Sequence, residues 1–258
     1  MTPECRFIEG NHAHFVTARY DRPIERIVLV HGSVIGGRGT WSAQRSLAEQ
    51  FELVVFDRPG FPPNPPVDRV DFESDGALVA ELLEPGDHLV GHSYGGIVSM
   101  LAAASRPERL RSLTVIEPPA TRVAAGVPVV DAFATAGQEL YAAAATGDPN
   151  VFLRTFLAAV GSPFDPPSPL PPDLEQGARA LAVERGPWEA DIPLAALGST
   201  SFPKLVVSGA HLDAYDAICD VLERELDAER AVLPGYGHAV QRHPEFNAVL
   251  ASFVERAR

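Results

Sequence analysis

The sequence predicts an α/β protein whose sheet is mostly parallel. From about residue 26 onwards, short apolar runs alternate with helical patterns, and each run holds two to four consecutive apolar residues. Runs without polar alternation are typical of strands buried on both faces, as in a parallel sheet covered by helices. These runs are RIVLVHG (26–32), FELVVFD (51–57), DHLVGHS (87–93), SLTVIEP (112–118), PKLVVSG (203–209) and RAVLPG (230–235).

A hairpin and several helices complete this pattern. The first twenty residues predict two strands, CRFIEG and HFVTARY, turned by Gly10-Asn11, which brings the expected sheet to eight strands. Helices are predicted over 40–50, 72–84, 94–105 and 243–257, and Pro244 suits the first turn of the last one. Helix 94–105 is small and apolar all round, which indicates a helix covered by other layers.

One segment interrupts the alternation of strands and helices. Between about residues 121 and 200 the chain lacks buried strand runs and is rich in Ala and Pro. It predicts helices over 127–148 and 148–161, followed by a Pro-rich connector over 162–174 that fits neither a helix nor a central strand. We therefore expect a core formed by 1–120 and 201–258 and a helical cap formed by 121–200. A separate second domain is less favoured, because the Pro-rich connector divides the segment.

Composition restricts the partners of the chain. The 258 residues carry a formal net charge of −13, and Lys204 is the sole lysine, so nucleic acid is not an expected partner. No apolar run reaches eighteen residues and the N-terminus lacks a signal-like core, so we expect no membrane association and a cytoplasmic location. Cys5 and Cys219 form no metal-ligand or disulfide pattern. We expect a small-molecule substrate, no metal or cofactor, and a monomer or homodimer.

A serine stands in a Gly-rich turn between a predicted strand and a predicted helix. Residues 91–95 read Gly-His-Ser-Tyr-Gly, which fits Gly-x-Ser-x-Gly, the pattern of a nucleophile elbow. In such a turn the serine backbone is strained, and side chains two residues to either side would clash, so Gly91 and Gly95 are required. The helix that begins at Tyr94 aims its N-terminal amides at incoming negative charge. Ser93 is therefore the candidate nucleophile.

A serine nucleophile needs a base, and His238 is the best-placed histidine. It lies in LPGYGHAVQRHP, a Gly-rich loop between the last strand run and the last helix, where a parallel sheet delivers side chains to its carboxyl edge. An exposed loop histidine without function is the alternative interpretation of that position. His243 is expected at the start of the closing helix, and His211 lies in a loop without a partner motif.

On three motifs the chain resembles α/β-hydrolase-fold enzymes of the small, capped, single-domain type. The motifs are HGS after the third strand, GHSYGG at the elbow and GYGH near the end. The resemblance implies Ser93 as nucleophile, His238 as general base, and an oxyanion hole formed by the backbone N–H groups of Tyr94 and Ser33. Val34 is the alternative second donor, because the loop after His31-Gly32 is long.

The acid of this catalytic triad is where the sequence departs from the family pattern. An Asp usually follows the seventh strand, and here Asp213 stands four residues after Gly209, with Asp216 three residues further on. Both also suit the first turn of a helix. Some family members take the acid from the end of the sixth strand, which here offers Glu117. Asp213 is favoured, with Glu117 as the main alternative.

The motifs predict hydrolysis of an ester, thioester or lactone of a small hydrophobic substrate through an acyl-enzyme. The same residues also serve C–C bond hydrolases, lyases and cofactor-free peroxidases, and a degenerate triad would suit a small-molecule-binding protein. Within the predicted cap, Phe152, Phe156 and Trp188 are candidate walls of an apolar acyl pocket. Packing inside the cap explains these three aromatic residues equally well.

Overall fold

The computed structural model describes residues 4–8, 12–16, 25–144 and 148–257, and of the first two ranges it describes the backbone alone. The strands are β1 (Glu4–Ile8), β2 (His12–Val16), β3 (Arg26–Val30), β4 (Glu52–Phe56), β5 (Asp87–His92), β6 (Leu110–Ile116), β7 (Lys204–Ser208) and β8 (Glu229–Val232). They form one sheet in the order β1-β2-β4-β3-β5-β6-β7-β8. The turn predicted at Gly10-Asn11 lies outside the described residues.

The sheet is mostly parallel, as the apolar runs predict. β3 to β8 pair in parallel, whereas β2 pairs antiparallel with both β1 and β4. The carboxyl ends of the parallel strands therefore meet at one edge, which is where side chains from distant parts of the chain come together.

Helices cover the sheet and follow its strands. They are α1 (Gly37–Thr40), α2 (Phe72–Leu82), α3 (Tyr94–Ser105), α4 (Pro128–Ala144), α5 (Pro149–Ala159), α6 (Pro172–Ala182), α7 (Leu194–Gly198), α8 (Asp213–Leu226) and α9 (Phe246–Arg256), with 3-10 helices at Ser42–Glu49, Pro107–Arg109, Thr121–Ala124, Pro187–Glu189 and Val240–Arg242. No helix in the described residues combines the length and the apolar character needed to cross a bilayer.

Two of the predicted helix boundaries were wrong by about a turn. The segment predicted as a helix over 40–50 is α1 followed by a 3-10 helix. Pro244 precedes α9 rather than lying in it, because the first i→i−4 hydrogen bond joins the Val249 N–H to the Glu245 carbonyl. The predicted Pro-rich connector is also shorter than expected, since α6 begins at Pro172, a position that tolerates proline.

The core lies on both faces of the sheet. Along β3, Val28 and Val30 pack into one layer with α2, α3 and α8, while Ile27 and Leu29 pack into the other with α9. All four side chains are fully buried. This two-sided burial explains why the strands are apolar without alternation.

Residues 121–200, here called the helical insertion, leave the sheet after β6 and return to it at β7. The insertion contains α4 to α7, and its Phe152 and Leu153 belong to a small apolar cluster that also includes Val34 from the loop after β3. It is also joined to the core by backbone contacts: Val70 forms a parallel bridge with Glu184, and the Arg185 N–H donates to the Val70 carbonyl at 2.8 Å. These contacts join the insertion to the segment between β4 and α2.

Candidate active site

Backbone strain is concentrated at the carboxyl edge of the sheet. Among the described residues, five non-glycine residues have positive φ, and four of them follow β3, β5, β6 and β7. These four are Val34 (φ 75°), Ser93 (55°), Glu117 (44°) and Ala210 (48°). Such conformations cost about 1–3 kcal/mol each, and they cluster at sites where geometry serves function.

Ser93 lies in the strained turn that the sequence predicts. Its backbone has φ 55° and ψ −128°, and α3 begins at the next residue. A Cβ on Gly95 would collide with the carbonyl oxygens of Val30 and His31, and a Cβ on Gly91 would collide with the Gly95 carbonyl. The two glycines therefore allow the close approach of strand, turn and helix that places the Ser93 hydroxyl at the sheet edge, where it borders a cavity.

The structure brings Ser93 and His238 together. Ser93 Oγ lies 2.9 Å from His238 Nε2, and His238 Nδ1 lies 2.8 Å from Glu117 Oε2. All three residues are buried, and Glu117 is completely inaccessible to solvent. The geometry fits a serine that gives its proton to an imidazole held by a carboxylate.

The expectation that favoured Asp213 as the acid is corrected by this geometry. Asp213 is exposed and is the first residue of α8, where its carboxylate complements the helix dipole. Asp216 lies in the same first turn and accepts a hydrogen bond from Ser208 Oγ at 2.7 Å. Glu117, in contrast, lies beside His238 at the end of β6, where its own backbone has a positive φ.

The contacts of Glu117 settle where the protons lie. Burial raises the pKa of this carboxyl, but contacts with His211, His238 and the Gly209 N–H outweigh burial and lower it to about 2. Glu117 is therefore an anion that can only accept, so the Nδ1–H of His238 donates to it. The Nε2 lone pair of His238 is then left for the Ser93 proton.

Aromatic rings fix the orientation of His238. The Tyr215 ring stacks on it with centroids 4.5 Å apart and an interplanar angle of 18°, and Tyr215 Oη lies 3.4 Å from His238 Nε2. On another side lies His92, whose Nε2–H donates to the His238 carbonyl at 2.8 Å. Burial, followed by the charge of His238, lowers the pKa of His92 to about 3, so His92 is neutral.

Sequence reasoning missed the contacts of His211. Its Nδ1 lies 3.2 Å from Glu117 Oε1, on the opposite side of the carboxylate from His238, and its Nε2 lies 3.1 Å from the Val160 carbonyl oxygen. Ligand atoms of Glu117, His211 and His238 lie within 4.8 Å of one another. Because Glu117 already contacts both imidazoles, we interpret the cluster as a proton-bearing network and not as a metal site.

The loop after β3 carries the remaining predicted donors. The backbone N–H of Tyr94 is at the first turn of α3, where helix N–H groups have no partner within the helix. Ser33 and Val34 line the cavity beside Ser93, and the Ile35 N–H donates to the Ser33 carbonyl at 2.9 Å across the strained Val34. Both residues that the sequence offers as second donor therefore border the same cavity as Ser93.

A buried ionic cluster holds this loop. Arg58 is fully buried and donates to Asp75 Oδ2 at 2.8 Å, to Glu184 Oε1 at 2.9 Å and to the Gly32 carbonyl at 3.0 Å. Ser33 Oγ donates to Glu184 Oε2 at 2.6 Å. Because Glu184 belongs to the helical insertion, this cluster ties the insertion to the loop that carries the candidate oxyanion donors.

The insertion also packs directly against that loop. A Cβ on Gly177 of α6 would overlap the carbonyl oxygen of Val34, so the helix backbone lies against the loop. His31 also stabilises this loop. Its Nε2 accepts from the backbone N–H of Arg58 at 2.9 Å, and its Nδ1 donates to the Gly32 carbonyl at 2.7 Å. Burial, followed by the charge of Arg58, lowers the pKa of His31 to about 3.

Two cavities open on either side of Ser93. One, of about 230 Å³, is largely apolar and is lined by Ser93 and Tyr94 together with insertion residues such as Phe156 and Trp188. The other, of about 300 Å³, is lined by Ser93, His238, Gln241 and Arg242. A carbonyl at Ser93 therefore has separate spaces for its two substituents.

Of the three aromatic residues predicted to line a pocket, two do so. Phe156 and Trp188 border the apolar cavity, and Trp188 packs against Tyr141 with ring centroids 5.2 Å apart. Phe152 is instead buried inside the insertion. Its ring packs edge-on against the Tyr141 ring, with the two ring centroids 5.8 Å apart. Phe156, which lines the cavity, and Phe152, which packs inside the insertion, thus lie one turn apart on α5.

Comparison with known proteins places these features in a broader group. The sequence profile of the alpha/beta hydrolase family matches residues 27–248. Over 92 residues the chain is 34% identical to the pimeloyl-acyl-carrier-protein methyl ester esterase of Aeromonas hydrophila. The aligned stretch covers 35% of this chain and 36% of that esterase. Over 124 residues it is 29% identical to the (R)-3-hydroxydecanoyl-ACP:CoA transacylase of Pseudomonas putida, covering 45% of this chain and 42% of that protein.

The aligned stretches thus span less than half the length of these relatives. The solved structure of MenH from S. aureus is similar over nearly the whole chain, with a TM-score of 0.73, 14% identity, and coverage of 96% of this chain and 98% of that one. At this identity the likeness concerns the fold alone.

Proposed function

Because the chain belongs to the alpha/beta hydrolase family, we propose that it is a serine hydrolase that cleaves an ester, thioester or lactone of a small apolar acyl group. One observation carries the proposal: a buried serine, imidazole and carboxylate are joined by contacts of 2.9 and 2.8 Å. Esters are also what the name of the Aeromonas relative says it cleaves.

In the proposed reaction, Ser93 Oγ attacks the carbonyl carbon and its proton passes to Nε2 of His238. The imidazolium that forms is stabilised by Glu117, which keeps its negative charge. The oxyanion is held by the Tyr94 N–H and by the N–H of Ser33, with Val34 as the alternative. Losing one such donor typically costs about 3 kcal/mol of transition-state stabilisation.

The second half of the reaction reuses the same groups. His238 gives its proton to the leaving oxygen or sulfur, which departs and leaves an ester between Ser93 and the acyl group. A water then takes the place of the leaving group and gives a proton to His238 as it attacks the acyl carbon. Collapse of the second oxyanion releases the carboxylic acid and restores the Ser93 hydroxyl.

The helical insertion is proposed to act as a cap and to form the acyl pocket. Its residues, with Phe156 and Trp188 among them, make up much of the apolar cavity of about 230 Å³ beside Ser93. Ligand pockets usually measure about 300–1,000 Å³, so a cavity of this size favours an acyl chain of few carbons. The second cavity beside Ser93, of about 300 Å³, is then left for the departing group.

A thioester of a phosphate-bearing carrier is the second candidate substrate. The cavity on the departing side shares Val34, Ile35, Phe164 and Arg242 with a larger groove of about 640 Å³. That groove is also lined by Arg38 and Arg45 and by two carboxylates, Asp57 and Asp173. Three arginines along one groove are notable in a chain of net charge −13. Guanidinium groups bind phosphate well, which is the observation that favours such a carrier.

A serine-directed phosphonate tests the proposal. We expect one equivalent of the fluorophosphonate to label the protein, and Ser93→Ala to abolish both labelling and hydrolysis of p-nitrophenyl butyrate. Ser201→Ala, at an exposed serine, is the matched control and should retain both. An unlabelled, inactive wild-type protein would favour a small-molecule-binding protein. Activity on β-diketones without activity on esters would favour a C–C bond hydrolase.

Preference for a phosphate-bearing carrier is tested by comparing the hydrolysis of two thioesters. Butyryl-CoA carries phosphate, whereas the N-acetylcysteamine thioester of butyrate has the same acyl group and no phosphate. If the groove binds phosphate, kcat/KM is higher for the CoA ester and the difference shrinks as salt rises. Arg38→Gln combined with Arg242→Gln should remove the difference and leave the phosphate-free thioester unchanged. Equal rates at low salt contradict the phosphate-bearing carrier.

A further inference from the structure

We propose that His211 is a positioning residue of the hydrolytic site, whose imidazolium form holds Glu117 in place and opposes premature protonation of His238. The inference rests on the proposed function and adds to it a charged group on the far side of the acid. His211 lies between β7 and α8, on the loop where the sequence pattern leads one to expect the acid itself. In this protein that loop carries a histidine instead, and the histidine faces Glu117, the carboxylate that directly follows β6.

The argument begins with the acceptors around the ring. His211 Nε2 lies 3.1 Å from the Val160 carbonyl oxygen, which can only accept, so Nε2 carries a proton. His211 Nδ1 lies 3.2 Å from Glu117 Oε1, a second atom that can only accept. Both ring nitrogens therefore face acceptors, and the doubly protonated ring is the form that satisfies both contacts.

The neutral ring fits this place poorly. Nδ1 is buried and lacks a well-aligned hydrogen bond among the described residues, so in a neutral His211 its lone pair would face an anionic oxygen. Protonation turns that repulsion into an ion pair in a site where the His211 side chain is 13% exposed and Glu117 is 0% exposed. Burial lowers the pKa of His211, but Glu117 and the Val160 carbonyl outweigh burial and raise it above its ordinary value.

The same contacts tie the triad to the helical insertion. Val160 directly follows α5, and the carbonyl of the next residue, Gly161, accepts the backbone N–H of His238 at 3.1 Å. Two neighbouring carbonyls of the insertion thus accept from the two histidines that contact Glu117: Val160 from the His211 ring and Gly161 from the His238 backbone. His211 fixes the carboxylate from Oε1 while His238 uses Oε2.

The charge of His211 acts on His238 across a short distance. The ring centroids of His211 and His238 are 6.0 Å apart. The other groups that face His211 are Glu117 from β6 and, from α8, Asp216 and the Tyr215 ring, whose centroid is 5.8 Å away. Both imidazoles contact the one carboxylate of Glu117. A positive charge on His211 therefore repels a second positive charge on His238 before substrate binds. Without this cation, the enzyme is expected to lose activity at a higher pH than wild type does.

The test is the pH profile of kcat/KM for p-nitrophenyl butyrate with wild type, His211→Gln and His243→Gln. Removing a unit charge at 6.0 Å is expected to move the midpoint of the acidic limb upward by about 0.5 to 2 pH units, for effective dielectric constants of about 80 to 20. His243→Gln, which removes an imidazole that packs on Tyr236 instead, should leave the midpoint unchanged. A His211→Gln profile that is lower at every pH but has the wild-type midpoint overturns the proposal, since that is the result of a structural role.

A second measurement does not depend on activity. In protein labelled with ¹³C at histidine Cε1, the resonance absent from His211→Gln is assigned to His211, and its titration is followed by NMR. We expect its midpoint above about 6.5, the ordinary value for histidine. A midpoint at or below that value overturns the imidazolium. If wild type is inactive and unlabelled by phosphonate, the proposed function fails, while the NMR titration still decides the charge on His211.

Discussion

Glu117 Oε2 lies 2.8 Å from His238 Nδ1, although 121 positions separate the two residues in the chain. Glu117 directly follows β6 and His238 follows β8, and both strands end at the same edge of the sheet. The carboxylate that contacts His238 therefore follows β6, one strand earlier than the sequence pattern favours. The loop after β7 is left to carry a histidine.

Replacing Glu117 is expected to damage catalysis far more than replacing Asp213. Glu117→Gln keeps the side-chain shape but removes the anion that holds His238 in the required tautomer. We expect kcat to fall by about a hundredfold to ten-thousandfold, as when the orienting acid of a serine protease triad is made an amide. Asp213→Asn, at the exposed start of α8, is the control and should change kcat less than about threefold. Steady-state kinetics with circular dichroism as a folding check decide the matter, and the reverse ranking would return the role to Asp213.

Arg58→Met is expected to destabilise the protein by about 3–5 kcal/mol at pH 8, because it leaves the carboxylates of Asp75 and Glu184 buried without their cation. Burial raises the pKa of both carboxyls, with Arg58 opposing it. Protonation therefore relieves the loss, and the difference from wild type should shrink toward pH 5.

Urea unfolding at several pH values measures this difference. Arg179→Met, which breaks the exposed pair with Glu175, is the control and should cost less than about 1 kcal/mol at every pH. Equal effects of the two substitutions would mean that the buried cluster contributes nothing beyond a surface ion pair.

Trp188→Ala is expected to lengthen the acyl chain that the enzyme prefers. Trp188 borders the apolar cavity, and its removal makes room for further methylenes, each worth about 0.8 kcal/mol, or roughly fourfold in kcat/KM, when buried. The ratio of octanoyl to butyryl ester hydrolysis should therefore rise at least about fourfold. Phe152→Leu alters a residue packed inside the insertion and should leave that ratio as in wild type. A chain-length preference that moves with Phe152 and not with Trp188 contradicts the pocket assignment.

Asp57→Asn is expected to stabilise the protein, and only above about pH 4. Burial raises the pKa of Asp57 from 3.8 to about 6, with the hydrogen bond from the Gly37 N–H opposing it. The folded state therefore binds a proton that the unfolded state has released between these pH values, so wild-type stability falls as pH rises from about 4 to 6. The amide keeps an oxygen for the Gly37 N–H and avoids this loss, which amounts to about 1–3 kcal/mol at pH 8.

Urea unfolding at pH 8 and pH 4 checks the sign. The gain from Asp57→Asn should be present at pH 8 and absent at pH 4, whereas Asp173→Asn, at an exposed position on α6, should change little at either pH. A gain that is independent of pH would point to a cause other than the ionisation of Asp57.

Local sequence was enough for the features that depend on neighbours in the chain. Unbroken apolar runs indicated the parallel strands, because burial on both faces removes polar alternation. The glycines around Ser93 indicated the elbow, because no side chain fits at positions 91 and 95 beside the backbone of β3 and α3. Helix starts were less well determined: Pro244 suits a first helical turn, yet α9 begins at Phe246.

The sequence by itself determined the α/β class, the strained serine, and the delivery of Ser93 and His238 to one edge of a sheet. Tertiary structure alone decided which carboxylate faces His238, that His211 and His92 surround the pair, and that Glu184 of the insertion holds the loop at Ser33. The reason is physical: hydrophobic periodicity records how each residue sits relative to its neighbours in the chain. The contact between Glu117 and His238, 121 residues apart, depends instead on backbone φ values and on the paths of two loops. Carboxylates at several positions in the sequence could have made that contact, so the sequence alone did not select one.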